Sequence, residues 1–225
     1  MLPLTDQWTF DHRGSEIVFG RGQVESLGDR LDTRNLERAM IVCGSNVGAN
    51  EALMGPIRSA LGDRLVATYD ETTPAKSAET IFDGIEAMDE HDPDVLIGVG
   101  GGSSLDVARQ MSVFAESDRS LAAYREDARA GEFSPPEPAD PTDVVVVPTT
   151  FAGADLSSGG SFELITAEDA PDDQPFVGKG RVWPTIMLSD PEGFETTPRG
   201  GPRWLCHEWV QQGHRNAVRR RGDPG

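Results

Sequence analysis

The sequence predicts an α/β fold built on a mainly parallel sheet. Short, apolar, β-branched runs alternate with stretches whose apolar residues recur at helical spacing. One such run, Val95 to Val99, passes through Gly100-Gly101-Gly102-Ser103 straight into a helical stretch. Strands that alternate with helices build βαβ units, and ligands of the resulting sheets bind beyond the C-terminal ends of the strands.

In chain order, Glu16 to Gly20 reads as a short strand. Gln23 to Leu31 reads as a helix with Val24, Leu27 and Leu31 on one face. Ala39 to Gly44 is a buried strand that runs into Gly44-Ser45-Asn46. Asn50 to Leu61 is a helix with Leu53, Ile57 and Leu61 inward. Leu65 to Tyr69 is a third strand, and Ser77 to Glu90 a helix striped by Ile81, Ile85 and Met88. After the Val95 strand and its helix, Pro135 to Pro138 marks a loop. Val144 to Pro148 is a buried strand followed by Thr149-Thr150. Ser161 to Thr166 and Val182 to Leu188 read as later strands. Gly44-Ser45, Thr73-Pro74, Gly100 to Ser103 and Thr149-Thr150 are thus all expected on one edge. No internal repeat is present.

Three consecutive glycines let a backbone approach a ligand closely. The helix that follows turns its free N–H groups toward whatever fills the turn, which favours an anion such as a pyrophosphate. A plain tight turn is the bland alternative; the strand before and the helix after strengthen the ligand reading.

The chain has 225 residues, with 38 Asp and Glu against 20 Lys and Arg, for a net charge of −18. Such a surface repels nucleic acid and anionic membranes. Lysine occurs only as Lys76 and Lys179. An acidic shell with arginine in place of lysine is expected of a protein adapted to high salt, where screening suppresses self-repulsion. No long apolar run or signal pattern is found, so a cytoplasmic protein is expected. Cys43 and Cys206 alone make neither a disulfide framework nor a cysteine metal cluster.

The stretches IVFGRGQVESLGDRL, GVGGGSSLDVARQ, VPTTFAGADLSS and WPTIMLSDPEGFETTP, in this order and spacing, resemble the iron-containing (group III) alcohol dehydrogenase family from about Glu16 to about Arg199. The resemblance implies an NAD(P)-binding α/β domain of the dehydroquinate synthase-like superfamily over residues 1–200. A helical domain holding a divalent metal, Fe or Zn, would follow it, and its ligands are not present in this chain. The implied chemistry is hydride transfer between NAD or NADP and a small alcohol or carbonyl, by a homodimer when intact.

By resemblance, Gly101, Gly102 and Ser103 match the pyrophosphate-binding turn. Asp106 matches the family's aspartate after it, either capping or anchoring the helix near the substrate edge or serving as a plain helix-entry carboxylate. Thr149 and Thr150 match residues lining the cofactor cleft, against the alternative of ordinary strand-end hydroxyls. Lys179 resembles a cofactor-contacting lysine, against a solvated loop lysine. The sequence assigns no catalytic residue.

Three departures stand out. Gly44, followed by Ser45, occupies the place where many members carry an acidic residue that grips the adenosine ribose. A 2′-phosphate is then not repelled, so NADP is as admissible as NAD, unless Gly44 simply ends a strand. The family's alanine-lysine is Ala108-Arg109. The Thr149 to Ser157 segment is one residue shorter than the common form and so resembles the maleylacetate reductase branch. A synthase of the dehydroquinate type and a non-catalytic nucleotide-binding remnant are the remaining alternatives.

From about Gly201 the composition turns basic, with Arg203, Arg215, Arg219, Arg220 and Arg221. Read one nucleotide later, the codons of Trp204 and Trp209 must each encode glycine, and the permitted residues between and beyond them resemble the family's next helix. Residues 201–225 are therefore expected to be an aberrant, disordered tail that follows a frameshift near Arg199 to Arg203, with His207 and His214 not ligands. A genuine basic tail is the alternative. Turnover by this chain is expected to be impaired.

Overall fold

The computed structural model describes residues 7–170 and 173–197. Its elements are β1 (Gln7–His12), β2 (Ser15–Gly20), a 3₁₀ turn (Gln23–Ser26) leading into α1 (Leu27–Asp32), β3 (Ala39–Val42), α2 (Ser45–Gly48), α3 (Glu51–Leu61), β4 (Leu65–Tyr69), α4 (Ala78–His91), β5 (Val95–Gly100) and α5 (Gly102–Phe114). They continue with α6 (Leu121–Ala130), β6 (Asp143–Pro148), a 3₁₀ turn (Ala154–Leu156), β7 (Gly159–Ile165), β8 (Phe176–Arg181), β9 (Ile186–Ser189) and α7 (Pro191–Glu195).

Seven strands form one sheet in the order β1-β2-β9-β6-β5-β3-β4. Every pairing in it is parallel except β1 with β2. From β3 the chain first steps outward to β4, then returns to the other side of β3 to lay down β5 and β6. The direction of winding therefore reverses between β3 and β5. Such a reversal opens a crevice at the C-terminal ends of the two strands.

Both faces of the sheet are covered, which is why its central strands are apolar without alternation. Ile41, Cys43, Ile97, Val99, Val145 and Leu188 pack toward α1 and α3. Met40, Val42, Leu96, Val144, Val146 and Met187 pack toward α4, α5 and α6. Helix α5 is buried along nearly its whole length. It lies between the sheet and the antiparallel β7–β8 hairpin, a second sheet of two strands. Gln110 fastens that hairpin, donating to Gly160 O at 2.9 Å and accepting from Gly180 N at 3.0 Å.

The strand expected over Val182 to Leu188 is shorter than read. Strand β9 begins at Ile186, and β8, absent from the sequence reading, ends at Arg181. The residues between are a connection fixed by Val182 N to Ser158 O at 2.8 Å and Thr185 N to Val144 O at 2.7 Å. Strand β1 also escaped the reading. Its turn to β2 is Arg13-Gly14, both at positive φ, 53° and 84°. That is the twist a two-residue hairpin needs, supplied here without the usual Asn-Gly signal. Among the described residues no helix is long and apolar enough to cross a membrane.

Candidate functional site

The winding reversal brings together the turns after β3 and β5. Gly44 opens α2, and Val47 of α2 reaches the second turn: a Cβ at Gly100 would lie 3.5 Å from Val47 Cγ2. Gly100 has φ +133°, a conformation that side chains strongly disfavour. Gly101 is the N-cap of α5 and supplies no side-chain cap. The N–H groups of Ser104 and Leu105 turn back to Gly101 O, at 3.1 and 3.4 Å. Those of Gly102 and Ser103, ahead of them in the first turn, are the groups a helix N-terminus offers to an anion.

The segment after β6 closes the other side. Thr149 N donates to Gly100 O at 2.9 Å, and Thr149 O accepts from Thr197 Oγ1 at 2.7 Å. Thr150 lies beside Gly101, 3.7 Å from the position a Cβ would take. Ala154 and Ala152 lie beside Gly102, at 3.3 and 3.8 Å by the same measure. Backbone geometry thus requires glycine at Gly100, and the closeness of Ala154 favours it at Gly102. Beyond Thr150 opens an apolar cavity of about 330 Å³ lined by Trp8, Phe19, Phe151, Leu156 and Phe194 among others.

A line of charge runs beneath the turn. Asp106 is buried and does not cap α5, since the cap is Gly101, five residues earlier. It anchors instead. Its Oδ2 accepts from Lys76 Nζ at 2.9 Å, and its Oδ1 from Arg109 Nη1 at 3.3 Å. Arg109, fully buried, also donates from Nη2 to Ala154 O at 2.5 Å. Burial pushes the Arg109 guanidinium below its ordinary pKa, against Asp106 and Asp155, which hold it up. Burial also raises the Asp155 carboxyl, against its own N–H and Arg109. Thr72 Oγ1 and Ser104 Oγ, 2.9 Å apart, tie the loop after β4 to the same helix.

Gly44, Ser45, Gly101, Gly102, Ser103, Thr149 and Thr150 thus come together at one edge, with Asp106 just beneath. Lys179 does not join them. It is exposed on β8 and lines a separate cavity with Arg13, Pro141, Arg181 and Trp183. Arg13, Pro141 and Trp183 precede the N-terminal ends of β2, β6 and β9, so this cavity lies toward the opposite edge of the sheet.

Sequence reasoning missed Thr72, Lys76 and the 3₁₀ turn at Ala154. The scarcity of lysine was the available signal for Lys76. The reading at Gly44 also changes. Gly44 forms a bridge with Glu71, and Asp70 Oδ2 lies 3.3 Å from the Cβ position of Gly48. Carboxylates missing from the end of β3 are supplied beside it by the end of β4.

Among the described residues no group of three or more His, Cys, Asp or Glu side chains is placed to hold a metal ion. No metal site is assigned to the described residues. The expectations for residues 201–225, including His207 and His214, lie outside the described residues.

Residues 14–191 match the family described as iron-containing alcohol dehydrogenase. An NAD-dependent methanol dehydrogenase of Bacillus methanolicus is 29% identical over 186 residues, covering 81% of this chain and 46% of that protein. An NADPH-dependent butanol dehydrogenase of Clostridium saccharobutylicum is 28% identical over 198 residues, covering 85% and 46%. Among solved structures, sulfoacetaldehyde reductase of Bifidobacterium kashiwanohense in complex with NAD+ superposes with a TM-score of 0.68 at 16% identity, over 85% of this chain and 48% of that one. The chain spans about half the length of the curated relatives it matches.

Proposed function

The chain belongs to the iron-containing alcohol dehydrogenase family, and on that premise we propose that residues 1–200 form the NAD(H)- or NADP(H)-binding unit of an enzyme that moves a hydride between the nicotinamide and a small alcohol or carbonyl. One observation carries this: the glycine turn at the start of α5 stands at the reversal between β3 and β5, and the Thr149–Thr150 segment closes its other side. The N–H groups of Gly102 and Ser103 hold the pyrophosphate. The hydroxyls of Thr149 and Thr150 line the path beyond it. The turn at Gly44 and Ser45 borders the adenosine end.

The bound nicotinamide supplies the hydride chemistry. The chain's own part is to bind and orient the cofactor and to keep water from one side of it. The apolar cavity beside Thr150 extends that dry surface toward the substrate. Phe151 and Leu156 are exposed on its rim among the described residues; impaired turnover remains part of the proposal. The acidic excess suits a high-salt cytoplasm.

The test is a fluorescence titration with NADH and NADPH, followed by an assay for carbonyl-dependent loss of NADH. Binding without turnover is the expected result. Failure to bind either cofactor sinks the proposal. Robust turnover keeps the cofactor site and overturns the impairment. Product formation without net loss of NADH would point to the synthase chemistry instead.

A further inference from the structure

We infer that Arg109 is a positioning residue: it fastens the Thr149–Leu156 segment to α5 and thereby sets the opening above the Gly101–Gly102 turn. The inference concerns affinity for a pyrophosphate-bearing ligand and in that respect rests on the nucleotide proposal.

Arg109 is the largest fully buried side chain among the described residues. A guanidinium in that position is costly, and an aliphatic residue of similar volume would fill the space with less loss of solvation. The polar partners show what the arginine does that an aliphatic residue would not. Nη1 lies on Asp106 Oδ1 of its own helix, one turn back. Nη2 lies on Ala154 O, forty-five positions along the chain. The planar fork spans the two, which the single ammonium of a lysine does poorly.

The residue it grips sets the consequence. Ala154 carries the methyl group that stands 3.3 Å from a Cβ position at Gly102. The carbonyl fixed by Arg109 and the contact on the glycine turn therefore belong to one residue. Moving Ala154 outward widens the turn's opening; moving it inward closes it. Asp155, next in the chain, faces the same guanidinium electrostatically, so release of Ala154 would also part a half-buried carboxyl from its cation.

The fork is not fully used. Arg109 Nε has no hydrogen-bond partner among the described residues, although it is buried. A side chain placed only to satisfy itself would not leave that N–H orphaned. Its two terminal nitrogens are satisfied where they join α5 to the segment, which is what a clamp requires.

Two variants and one measurement on the unmodified protein test this. Arg109→Lys keeps the charge and loses the fork; Arg109→Met keeps the volume and loses both. NADPH and ADP are titrated at a temperature where urea curves show every protein folded. Arg109→Met is expected to weaken both ligands alike, by roughly tenfold, with Arg109→Lys between it and wild type. Hydrogen exchange in residues 150–157 is expected to quicken while β3 and β5 stay unchanged. A variant that loses stability yet binds with wild-type affinity, and exchanges normally over 150–157, overturns the inference.

If neither variant folds, wild-type protein labelled with 15N-arginine decides. A fully buried, fastened guanidinium is expected to show slowly exchanging Nε and Nη protons. Solvent-like exchange at every arginine overturns the clamp. If wild type binds neither NADPH nor ADP, the nucleotide proposal falls, while the fastening still stands or falls by the exchange results.

Discussion

Lys76 Nζ donates to Asp106 Oδ2 at 2.9 Å and to Ser161 Oγ at 2.7 Å, so one of only two lysines in the chain joins the loop after β4, helix α5 and strand β7. With Arg109 on its other oxygen, Asp106 is the single carboxylate between two cations, and its side chain is mostly buried.

Asp106→Asn removes the charge that both cations share. Taking one partner from a buried pair leaves the other uncompensated and costs about 3 kcal/mol. Lys76→Met is milder, roughly 1 kcal/mol, because Lys76 remains partly in water. Urea unfolding of the two variants measures this. A wild-type midpoint for Asp106→Asn would mean that the pairing contributes nothing.

Two glycines, one in α1 and one in α3, should respond unequally to alanine. A Cβ at Gly28 would stand 2.3 Å from the backbone oxygen of Ala60, which cannot withdraw without moving α3. Gly28→Ala is expected to cost about 3 kcal/mol. Gly55 lies inside α3, and its nearest neighbour would be Glu51 Oε2 at 3.9 Å. Pro56 follows it and its Cδ crowds a Cβ in the helical conformation, so the gain in helix propensity is offset and Gly55→Ala is expected to be within about 0.5 kcal/mol of neutral. Thermal melts of the pair check the size of each.

The parts of the fold set by local pattern were legible. Leu53, Ile57 and Leu61 are buried as their spacing requires, and Ser77 caps α4 through Thr80 N at 3.3 Å. The glycine turn was legible because strand, turn and helix are contiguous. What escaped was set by partners far along the chain. Ser104, Asp106, Arg109, Gln110 and Ser112 are polar residues of α5, yet all are buried, which no local pattern announces. Each has a partner on another loop or strand: Thr72, Lys76, Ala154, Gly160 and Thr142 respectively. Helix α6 was missed for a related reason, since it buries only Tyr124 and Ala128.

Stability should fall on the alkaline side. Burial, with Asp70 nearby, pushes the Cys43 thiol up to about 11 from its ordinary 9.0, against a smaller opposing pull from Arg58. Burial raises the Tyr69 phenol as well, and its hydroxyl donates to Thr80 O at 2.8 Å. Between about 9 and 11 the unfolded thiol releases its proton while the folded thiol keeps it. The native state then binds more protons, and stability declines as pH rises through that window. Cys43 alone accounts for roughly 2–3 kcal/mol by pH 11. Urea midpoints at pH 7.5 and 10.5, in a Cys206→Ser background, should separate, and Cys43→Ala should reduce the gap. An equal gap in both proteins would remove Cys43 as the cause.

Salt should stabilise the protein. Thirty-eight acidic against twenty basic side chains repel one another over the surface, and at 1 M salt the screening length falls to about 3 Å. Salt also weakens exposed pairs such as Arg21 with Glu195 and Arg119 with Asp127. Exposed pairs of that kind contribute little, so the summed repulsion wins. The melting temperature is expected to rise by roughly 5 °C or more between 0.1 and 2 M KCl. A flat or falling curve would contradict adaptation to high salt.

Cofactor preference turns on the end of β4. The absence of a carboxylate at Gly44 would by itself admit a 2′-phosphate. But Glu71 bridges Gly44, and Asp70 stands against Gly48, so two negative charges flank the turn proposed to border the adenosine ribose. They are exposed, which limits their repulsion to a few-fold in affinity at moderate salt. Wild type is therefore expected to bind NADH more tightly than NADPH. The double variant Asp70→Asn, Glu71→Gln should move the ratio of the two dissociation constants toward NADPH by about threefold to tenfold. The shift should shrink at 2 M KCl, because it is made of screened charge rather than of shape. A ratio unchanged by the double variant at low salt would mean that the adenosine end lies elsewhere, and would return Gly44 to the role of a plain turn.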